Sequence, residues 1–186
     1  MSQKVIENVK PLRTIEEIQH MREAFQQTLF PKRNQLLFSI GINTGLRVGD
    51  LLRLRIEDVK GKSSVKIQEG KTSKARIVHL DAVMAEIADY LENQPKVGAL
   101  FPSQRTGESM STVQAYRILK AAGKKCGYDY VGTHTMRKTF GYHYFQRTHD
   151  IVTLMIIFNH SSQNITKRYI GIEEDDIKNS LKNFRL

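Results

Sequence analysis

The segment from Thr133 to Arg137 combines two side chains that can hold a phosphate and move a proton. His134 and Arg137 are three positions apart, so on a helix they would share one face. Arginine offers paired donors to two phosphate oxygens, and histidine exchanges protons near neutral pH. With Thr133 as N-cap, both would lie in the first turns, where the helix dipole favours an anion. Such a pair also arises without function, so this pattern alone leaves both interpretations open.

A second stretch, from Asn159 to Tyr169, contains a side chain that can act as a nucleophile. His160 follows an apolar segment, and Tyr169 lies nine positions later beside Lys167 and Arg168. A phenol oxygen can attack phosphorus, but a lone tyrosine is more often packed in an amphipathic core with its hydroxyl hydrogen-bonded at the edge. The two neighbouring cations favour a position that faces phosphate.

Arg47 lies where one helix is expected to end and the next to begin, directly after Thr44-Gly45-Leu46. An arginine beside the free N–H groups of a helix N-terminus is well placed to hold a phosphate. Asp50, three residues later, can orient that guanidinium directly, or it can hydrogen-bond to groups that support the guanidinium without touching the phosphate. The same spacing is also typical of a solvent-exposed ion pair.

Further cations occupy residues 69–74, between two segments of alternating apolar residues that predict the strands of a β-hairpin. Lys71 lies in this predicted turn, where its ammonium can reach a scissile bond and donate a proton to a departing alkoxide. Lys74 lies in the same turn, and a solubilising role explains either lysine equally simply. The alternating apolar positions are Val65, Ile67, Ile77 and Leu80.

Helix signals dominate the rest of the sequence. Capping boxes begin at Thr14 and Ser111, and Pro31 can open a helix that should stop near Gly45. The predicted helices start near Thr14, Pro31, Arg47, Asp81 (as a cap), Ser111, Thr133, Asp150, Ser162 and Glu173. The expected fold is therefore mostly α with a small antiparallel β-sheet, an α+β domain.

The composition restricts the class of partner and the compartment. The 186 residues carry 29 lysines and arginines against 19 acidic residues, a net charge of +10 that favours a polyanion such as nucleic acid. No apolar run approaches the roughly 18 residues of a membrane span, and the polar N-terminus lacks a signal-peptide pattern. Cys126 is the single cysteine, which excludes an internal disulfide and makes a cysteine-rich zinc site unexpected. These features predict a cytoplasmic protein.

Taken in order, the reactive side chains resemble the catalytic set of the tyrosine recombinase (phage integrase) family. The resemblance includes the Thr-Gly-Leu-Arg segment, the hairpin lysine, the His-x-x-Arg pair and the closing histidine and tyrosine, and it extends from about Pro11 to Arg185. One departure is local, because Phe158-Asn159 stands where family members often carry Leu-Gly. The matching positions are Arg47, Lys71, His134, Arg137, His160 and Tyr169.

This resemblance implies a role for each matching residue. Arg47 and Arg137 would clamp the non-bridging oxygens of a DNA phosphate, and His160 would add a further donor. Tyr169 would attack phosphorus and form a 3′-phosphotyrosine.

The remaining two residues would move protons. Lys71 would protonate the departing 5′ oxygen, and His134 would assist proton transfer to or from the tyrosine. No cofactor and no metal ion are expected for this chemistry. The predicted DNA-contacting residues are Arg47, Lys71, Lys74, Arg137, Lys138, Lys167 and Arg168.

The resemblance also predicts how the chain is organised. Residues 1–10 would form a tail or linker and residues 11–186 the catalytic domain. Within it, 171–186 would form a C-terminal helix that docks on a neighbouring protomer or folds back on its own. Relatives usually carry a helical DNA-binding domain before the segment equivalent to Pro11, so either the chain has been trimmed or the catalytic domain acts alone.

The expected partners are double-stranded DNA, further copies of the chain in a tetramer on that DNA, and accessory DNA-bending proteins. No membrane partner is expected. The resemblance also implies a bacterial or phage-encoded protein that acts on the nucleoid. Two other functions stay open from the residues: a topoisomerase-like relaxing activity that uses the same covalent chemistry, and a DNA-binding regulatory module whose active site is degenerate.

Overall fold

The computed structural model describes residues 9–70, 74–172, 178, 181–182 and 184–185. Lys71 lies outside the described residues, and so does most of the helix predicted from near Glu173. The described helices are α1 (Ile15–Gln26), α2 (Pro31–Thr44), α3 (Val48–Leu52), α4 (Ile56–Val59), α5 (Met84–Leu91), α6 (Thr112–Lys125), α7 (Thr135–Thr148), α8 (Ile151–Phe158) and α9 (Gln163–Ile170). A 3₁₀ turn (Asp81–Val83) precedes α5, and the strands are β1 (Ser64–Gln68) and β2 (Ala75–His79).

The predicted fold class is confirmed, because the two strands form a small antiparallel sheet within an otherwise helical domain. Several predicted helix starts are also confirmed by their caps. The side chains of Thr14 and Ser111 each complete a capping box, and those of Asp150 and Ser162 accept from the backbone N–H three residues later. Pro31 is the first residue of α2, where its missing N–H costs nothing.

Ile77, one of the alternating apolar positions, lies in β2 as predicted but faces solvent. This side chain is 61% exposed, whereas Val78 beside it is buried opposite Val65. The reason is the register, since the alternation that buries Leu80 also buries Val78 and turns Ile77 outward. A stretch with apolar residues at two successive positions does not reveal which one faces the core.

Two predicted helix caps are wrong. Asp81 lies within the 3₁₀ turn, and α5 begins at Met84 without a side-chain cap. Thr133 precedes the N-cap of α7, which is His134. The caps differ from the predicted ones by two positions and by one position, Val83 in place of Asp81 and His134 in place of Thr133, which is the usual uncertainty of such boundaries.

The apolar core has two parts. The larger part includes residues of α1 to α6 and of the hairpin, with Phe25 and Phe38 fully buried. The smaller part, here called the second core, joins α8 and α9 to α7 and contains Phe158 and Ile170. Because the stretch from His160 to Tyr169 begins just after α8 and continues along α9, packing in the second core determines where that stretch lies. Among the described residues, no helix has both the length and the apolar character that crossing a membrane requires.

A close approach at Gly141 connects α7 to this second core. An added Cβ would lie 2.6 Å from Ile170 Cγ2 and 2.7 Å from Phe158 Cε2, well inside van der Waals contact. Gly141→Ala is therefore expected to lower the free energy of unfolding by roughly 1–3 kcal/mol, although alanine is the better helix former.

Gly49 in α3 provides the matched control, because no described atom lies within 4 Å of its added Cβ. Gly49→Ala should leave the stability unchanged or raise it by up to about 1 kcal/mol. Denaturant unfolding of both variants, followed by circular dichroism, measures the difference. A more stable Gly141→Ala protein would contradict the close packing of α7.

Candidate active site

Arg137 lies on α7 and reaches the carboxyl ends of two other helices. Its Nη1 donates to the Gly45 carbonyl at 2.5 Å and its Nη2 to the Phe158 carbonyl at 2.9 Å, with the guanidinium 4.2 Å from the centre of the Phe158 ring. The residue is 3% exposed, and burial lowers the pKa of Arg137 to about 10, so it stays charged at neutral pH. Helix C-termini carry unpaired carbonyls and the negative end of the dipole, which offsets the cost of burying this cation.

Arg47 reaches the same carbonyl from another part of the chain. It is the N-cap of α3, directly after the left-handed C-cap Gly45 and Leu46. Its Nη1 donates to Glu69 Oε2 at 2.7 Å, and its Nη2 donates to the Phe158 carbonyl at 3.5 Å. The Phe158 carbonyl therefore accepts from both arginines, and the two predicted clamp residues lie side by side.

A third arginine, missed by the sequence analysis, completes the arginine cluster (Arg47, Arg76 and Arg137). Arg76 donates from Nη1 to the Ile157 carbonyl at 3.1 Å and from Nη2 to the Thr44 carbonyl at 2.9 Å. Glu69 Oε1 lies 3.9 Å from Arg76 Nη1, and this carboxylate is only 3% exposed. Glu69 is thus a buried counter-ion to two of the three arginines.

The hairpin pattern contained a signal for both missed residues. Glu69 continues the inward alternation of Val65 and Ile67, and Arg76 is two positions before the buried Val78. A charged residue at a core-facing position of a strand is expected to have a partner, because an unpaired buried charge is costly. An alternation counted from Ile77 instead places Arg76 on the solvent-facing side of the strand.

Asp50 contributes more to the site than an ion pair with Arg47. Its Oδ1 accepts from Arg53 Nη2 at 2.6 Å and from the Gly70 N–H at 3.0 Å. Its buried Oδ2 lies 4.0 Å from Arg47 Nη1 and makes no hydrogen bond to the part of the chain that the structure describes. Asp50 therefore holds the start of the hairpin turn as well as the clamp arginine.

Tyr169 lies on α9 beside both predicted histidines. Its Oη is 3.1 Å from His134 Nδ1, and its ring makes an edge contact with the ring of His160, 5.2 Å between centres. Burial raises the pKa of the Tyr169 phenol, and the positive charges of Arg137 and Arg47 only partly oppose that rise. The phenol is therefore protonated at neutral pH, and it needs a base before it can attack.

His160 is fixed by a hydrogen bond to the helix that carries the tyrosine. Thr166 Oγ1 donates to the Ser162 carbonyl at 3.2 Å, so it accepts from His160 Nδ1, which lies 3.0 Å away. This arrangement assigns the Nδ1–H tautomer and leaves Nε2 to interact with other groups. Burial lowers the pKa of His160, and Arg137 and Arg47 lower it further.

Lys138, predicted to contact DNA, is half-buried beside the tyrosine. Its Nζ donates to the Val9 carbonyl at 2.7 Å and lies 5.3 Å from the centre of the Tyr169 ring. Burial lowers the pKa of Lys138. A direct DNA contact by Lys138 stays a prediction, but its observed contacts connect the N-terminal segment to the tyrosine.

The other predicted DNA contacts lie closer to solvent. Lys74 is exposed and donates to Asn159 Oδ1 at 2.8 Å, and on α9 Lys167 is half-buried while Arg168 is exposed. Asn159 is the left-handed C-cap of α8, with φ 50° and ψ 48°. The departure from Leu-Gly thus leaves the turn before His160 intact, because asparagine tolerates this backbone conformation.

Five of the six predicted catalytic residues converge, and the sixth, Lys71, lies outside the described residues. The phage integrase family matches residues 13–175. The chain belongs to the phage integrase family.

Among its relatives, the probable integrase/recombinase YoeC of Bacillus subtilis is 45% identical, over 95% of this chain and 97% of that protein. The tyrosine recombinase XerA of Pyrococcus furiosus is 30% identical over 83% of this chain and 55% of its own length, so this integrase-family chain spans about half of that relative.

Solved structures of recombinases share the fold of this family member. The crystal structure of XerA recombinase superposes with a TM-score of 0.72 at 24% identity, covering 100% of this chain and 68% of that chain. A lambda integrase(75-356) dimer bound to a COC′ core site gives a TM-score of 0.68 at 22% identity, with 91% of this chain and 61% of that chain covered. The helical architecture and the small hairpin are therefore those of tyrosine recombinase catalytic domains.

The environment of His160 in this integrase-family domain predicts a pH dependence of stability. Because the folded pKa of His160 is below its ordinary value of 6.5, the unfolded chain binds this proton more readily. The stabilising contribution is complete above about pH 6.5 and is lost as the pH falls through the folded pKa. His160→Asn keeps a donor for Thr166 but has no group that titrates in this range. When the pH is lowered from about 7 to about 5, its free energy of unfolding should therefore fall less than that of the wild type. Denaturant unfolding at both pH values measures this, and equal losses in the two proteins would contradict the lowered pKa.

Proposed function

We propose that this domain is a site-specific DNA recombinase or integrase that cleaves and rejoins strands through a covalent 3′-phosphotyrosine at Tyr169. The observation that carries this proposal is the phenol oxygen 3.1 Å from His134 Nδ1, beside two arginines that share one carbonyl acceptor. The family membership and the tyrosine recombinases among the relatives support the same reaction.

The attack needs positive charge, because a phosphodiester is an anion that repels nucleophiles. Arg47 and Arg137 bind its non-bridging oxygens. His160 takes up a proton at Nε2 beside the bound anion and then adds a further donor as charge develops there. Tyr169 Oη forms a bond to phosphorus while the bond from phosphorus to the 5′ oxygen breaks. The phenol proton passes to His134, which is already within hydrogen-bond distance.

The departing 5′ oxygen takes a proton from Lys71 in the hairpin turn. Since the phosphotyrosine keeps the energy of the broken bond, a 5′ hydroxyl from another duplex can attack it and restore a phosphodiester without ATP. The chain's own side chains supply the charge, the nucleophile and both proton transfers, so we expect a reaction that is independent of metal ions.

Strand exchange joins two duplexes, so the working assembly is proposed to be a tetramer of this chain on double-stranded DNA, with accessory DNA-bending proteins as further partners. The net charge of +10 favours such a polyanion. Structural neighbours include XerH bound to difH substrate and the Tn1549 transposon integrase in complex with circular intermediate DNA. Residues 11–186 would form the catalytic domain, 1–10 a linker, and 171–186 a helix that docks on the neighbouring protomer.

The decisive test is trapping of the covalent intermediate. Wild-type protein is mixed with a pool of nicked duplexes of randomised sequence. Cleavage near the nick releases a short fragment that diffuses away, so the strand cannot be rejoined and the adduct accumulates. The products are then separated on a denaturing gel. We expect a protein–DNA adduct that persists in EDTA and falls by about 10³-fold or more in Tyr169→Phe, because the nucleophile is gone. Sequencing of the trapped DNA identifies the recognised site.

The outcomes separate this function from its alternatives. Adduct formation by Tyr169→Phe would overturn the assignment of the nucleophile, and dependence on added Mg²⁺ would overturn the metal-free reaction. Salt-sensitive DNA binding without any adduct would instead indicate a regulatory binding module. Relaxation of supercoiled plasmid without recombinant products would indicate a topoisomerase-like enzyme.

Arg137→Lys tests the two-oxygen clamp. A lysine keeps the charge but not the paired donors, so cleavage of the identified site should fall by about 10²–10³-fold while DNA affinity at moderate salt changes little. Arg22→Lys is the matched control, since Arg22 forms a surface ion pair with Glu86 at 3.5 Å and should retain full activity. If Arg137→Lys loses DNA affinity and cleavage to the same extent, Arg137 is a contact that positions DNA and not a clamp for the reacting phosphate. Thermal melting of each variant identifies any folding defect.

A further inference from the structure

The last residue of the hairpin turn is attached to the end of α8. Lys74 Nζ donates to Asn159 Oδ1 at 2.8 Å, and the Lys74 carbonyl accepts from the Glu69 N–H at 3.0 Å across the turn. Asn159 directly follows Phe158, whose carbonyl accepts from Arg47 and Arg137. One side chain therefore connects the hairpin to the helix end on which the two clamp arginines converge.

The choice of residue at position 159 is informative because the backbone there is left-handed, with φ 50°. Glycine adopts this conformation without cost, whereas asparagine adopts it at a small cost. What asparagine adds is a side-chain oxygen at the C-cap, and that oxygen is the acceptor for Lys74. Neither the cap nor the Asn159 N–H bond to the Ile156 carbonyl, 3.0 Å, requires that side chain.

The opposite end of the turn is also held. The Gly70 N–H donates to Asp50 Oδ1 at 3.0 Å, and Glu69 accepts from Arg47 at 2.7 Å. Lys71 belongs to the short segment between these two attachments. In general, holding the residues that flank a short segment lowers the entropy cost of bringing its side chains to a substrate.

We propose that Asn159 is a positioning residue that holds Lys74, the described end of the hairpin turn, against the end of α8 and thereby supports the proton transfer by Lys71. This rests on the proposed function, in which Lys71 protonates the departing 5′ oxygen. Asn159 itself does not touch the DNA in this reaction. Its contribution is to the proton transfer and not to the attack by Tyr169.

Asn159→Gly tests the proposal, because glycine keeps the left-handed cap and removes only the acceptor. Cleavage of the identified DNA site should slow by about three- to tenfold, the size expected for the loss of one solvent-exposed hydrogen bond. On the same site with sulfur replacing the bridging 5′ oxygen, the two proteins should cleave at equal rates, because a thiolate leaves without a proton. Asn159→Asp keeps an acceptor and should retain the wild-type rate on both substrates.

Two further measurements address the contact itself. In a Lys74→Met background, Asn159→Gly should have no additional effect on cleavage, since the partner is already absent. In free protein, the Glu69 amide should exchange with solvent about three- to tenfold faster in Asn159→Gly, while amides of α6 stay unchanged.

The results distinguish this proposal from the function on which it rests. Two outcomes would overturn the positioning role while the wild type still forms the Tyr169 adduct, so that the recombinase function stands. In one, Asn159→Gly cleaves the oxygen substrate as fast as the wild type does. In the other, Asn159→Gly is slower than the wild type by the same factor on the oxygen and the sulfur substrates. Additive effects of the Lys74 and Asn159 substitutions would also overturn the positioning role. If the wild type forms no adduct on any duplex, the recombinase function itself fails.

Discussion

The active site depends on holding buried arginines without neutralising them. Carboxylates alone would cancel the charge that a phosphate needs, but the carboxyl ends of α2 and α8 offer carbonyl oxygens whose partial charges stabilise a guanidinium at lower electrostatic cost. Both helices end on a left-handed residue, Gly45 and Asn159, which turns the chain away and leaves the last carbonyls accessible. Four of these carbonyls accept hydrogen bonds from the arginine cluster. The donors are thus oriented before any DNA arrives, which is the preorganisation that electrostatic catalysis requires.

The same arrangement determines how the tyrosine can be activated. The two carboxylates of Glu69 and Asp50 face the arginine cluster, and Asp50 also pairs with Arg53, so positive charge remains in excess. The charges of Arg137 and Arg47 lower the pKa of Tyr169 but do not overcome the effect of burial. A bound phosphate would consume that excess, because its oxygens pair with the same guanidinium groups. Electrostatic attraction alone therefore cannot keep the phenol ionised at the moment of attack. A neighbouring base is needed, and His134 at 3.1 Å is the group in position to serve.

Sequence reasoning found the residues whose roles follow from type and local spacing, and missed those whose roles follow from register. Arg47 could be named because Gly45 marks the end of the preceding helix, and Arg137 because it lies three positions after His134 on one helix face. Glu69 and Arg76 required knowledge of which face of the hairpin is buried, and the adjacent apolar residues at 77 and 78 left that undetermined. The partners of Asp50 and Lys138 were out of reach for a different reason. Their contacts, to Gly70 and to the Val9 carbonyl, depend on how distant elements pack.

The support of the nucleophile shows how far such packing extends. Arg13, just before α1, donates from Nη2 to the carbonyl of Gly171 at 2.7 Å, across 158 positions of sequence. Gly171 is the left-handed C-cap of α9, two residues after Tyr169, so this contact holds one end of the helix that carries the phenol. Lys138 holds the same N-terminal segment through Val9 and lies over the tyrosine ring. An eight-residue helix is too short to be stable by itself, because helix nucleation is costly. The position of the reactive oxygen is therefore a property of the folded domain as a whole, and the first described residues of the chain contribute to it as directly as α9 does.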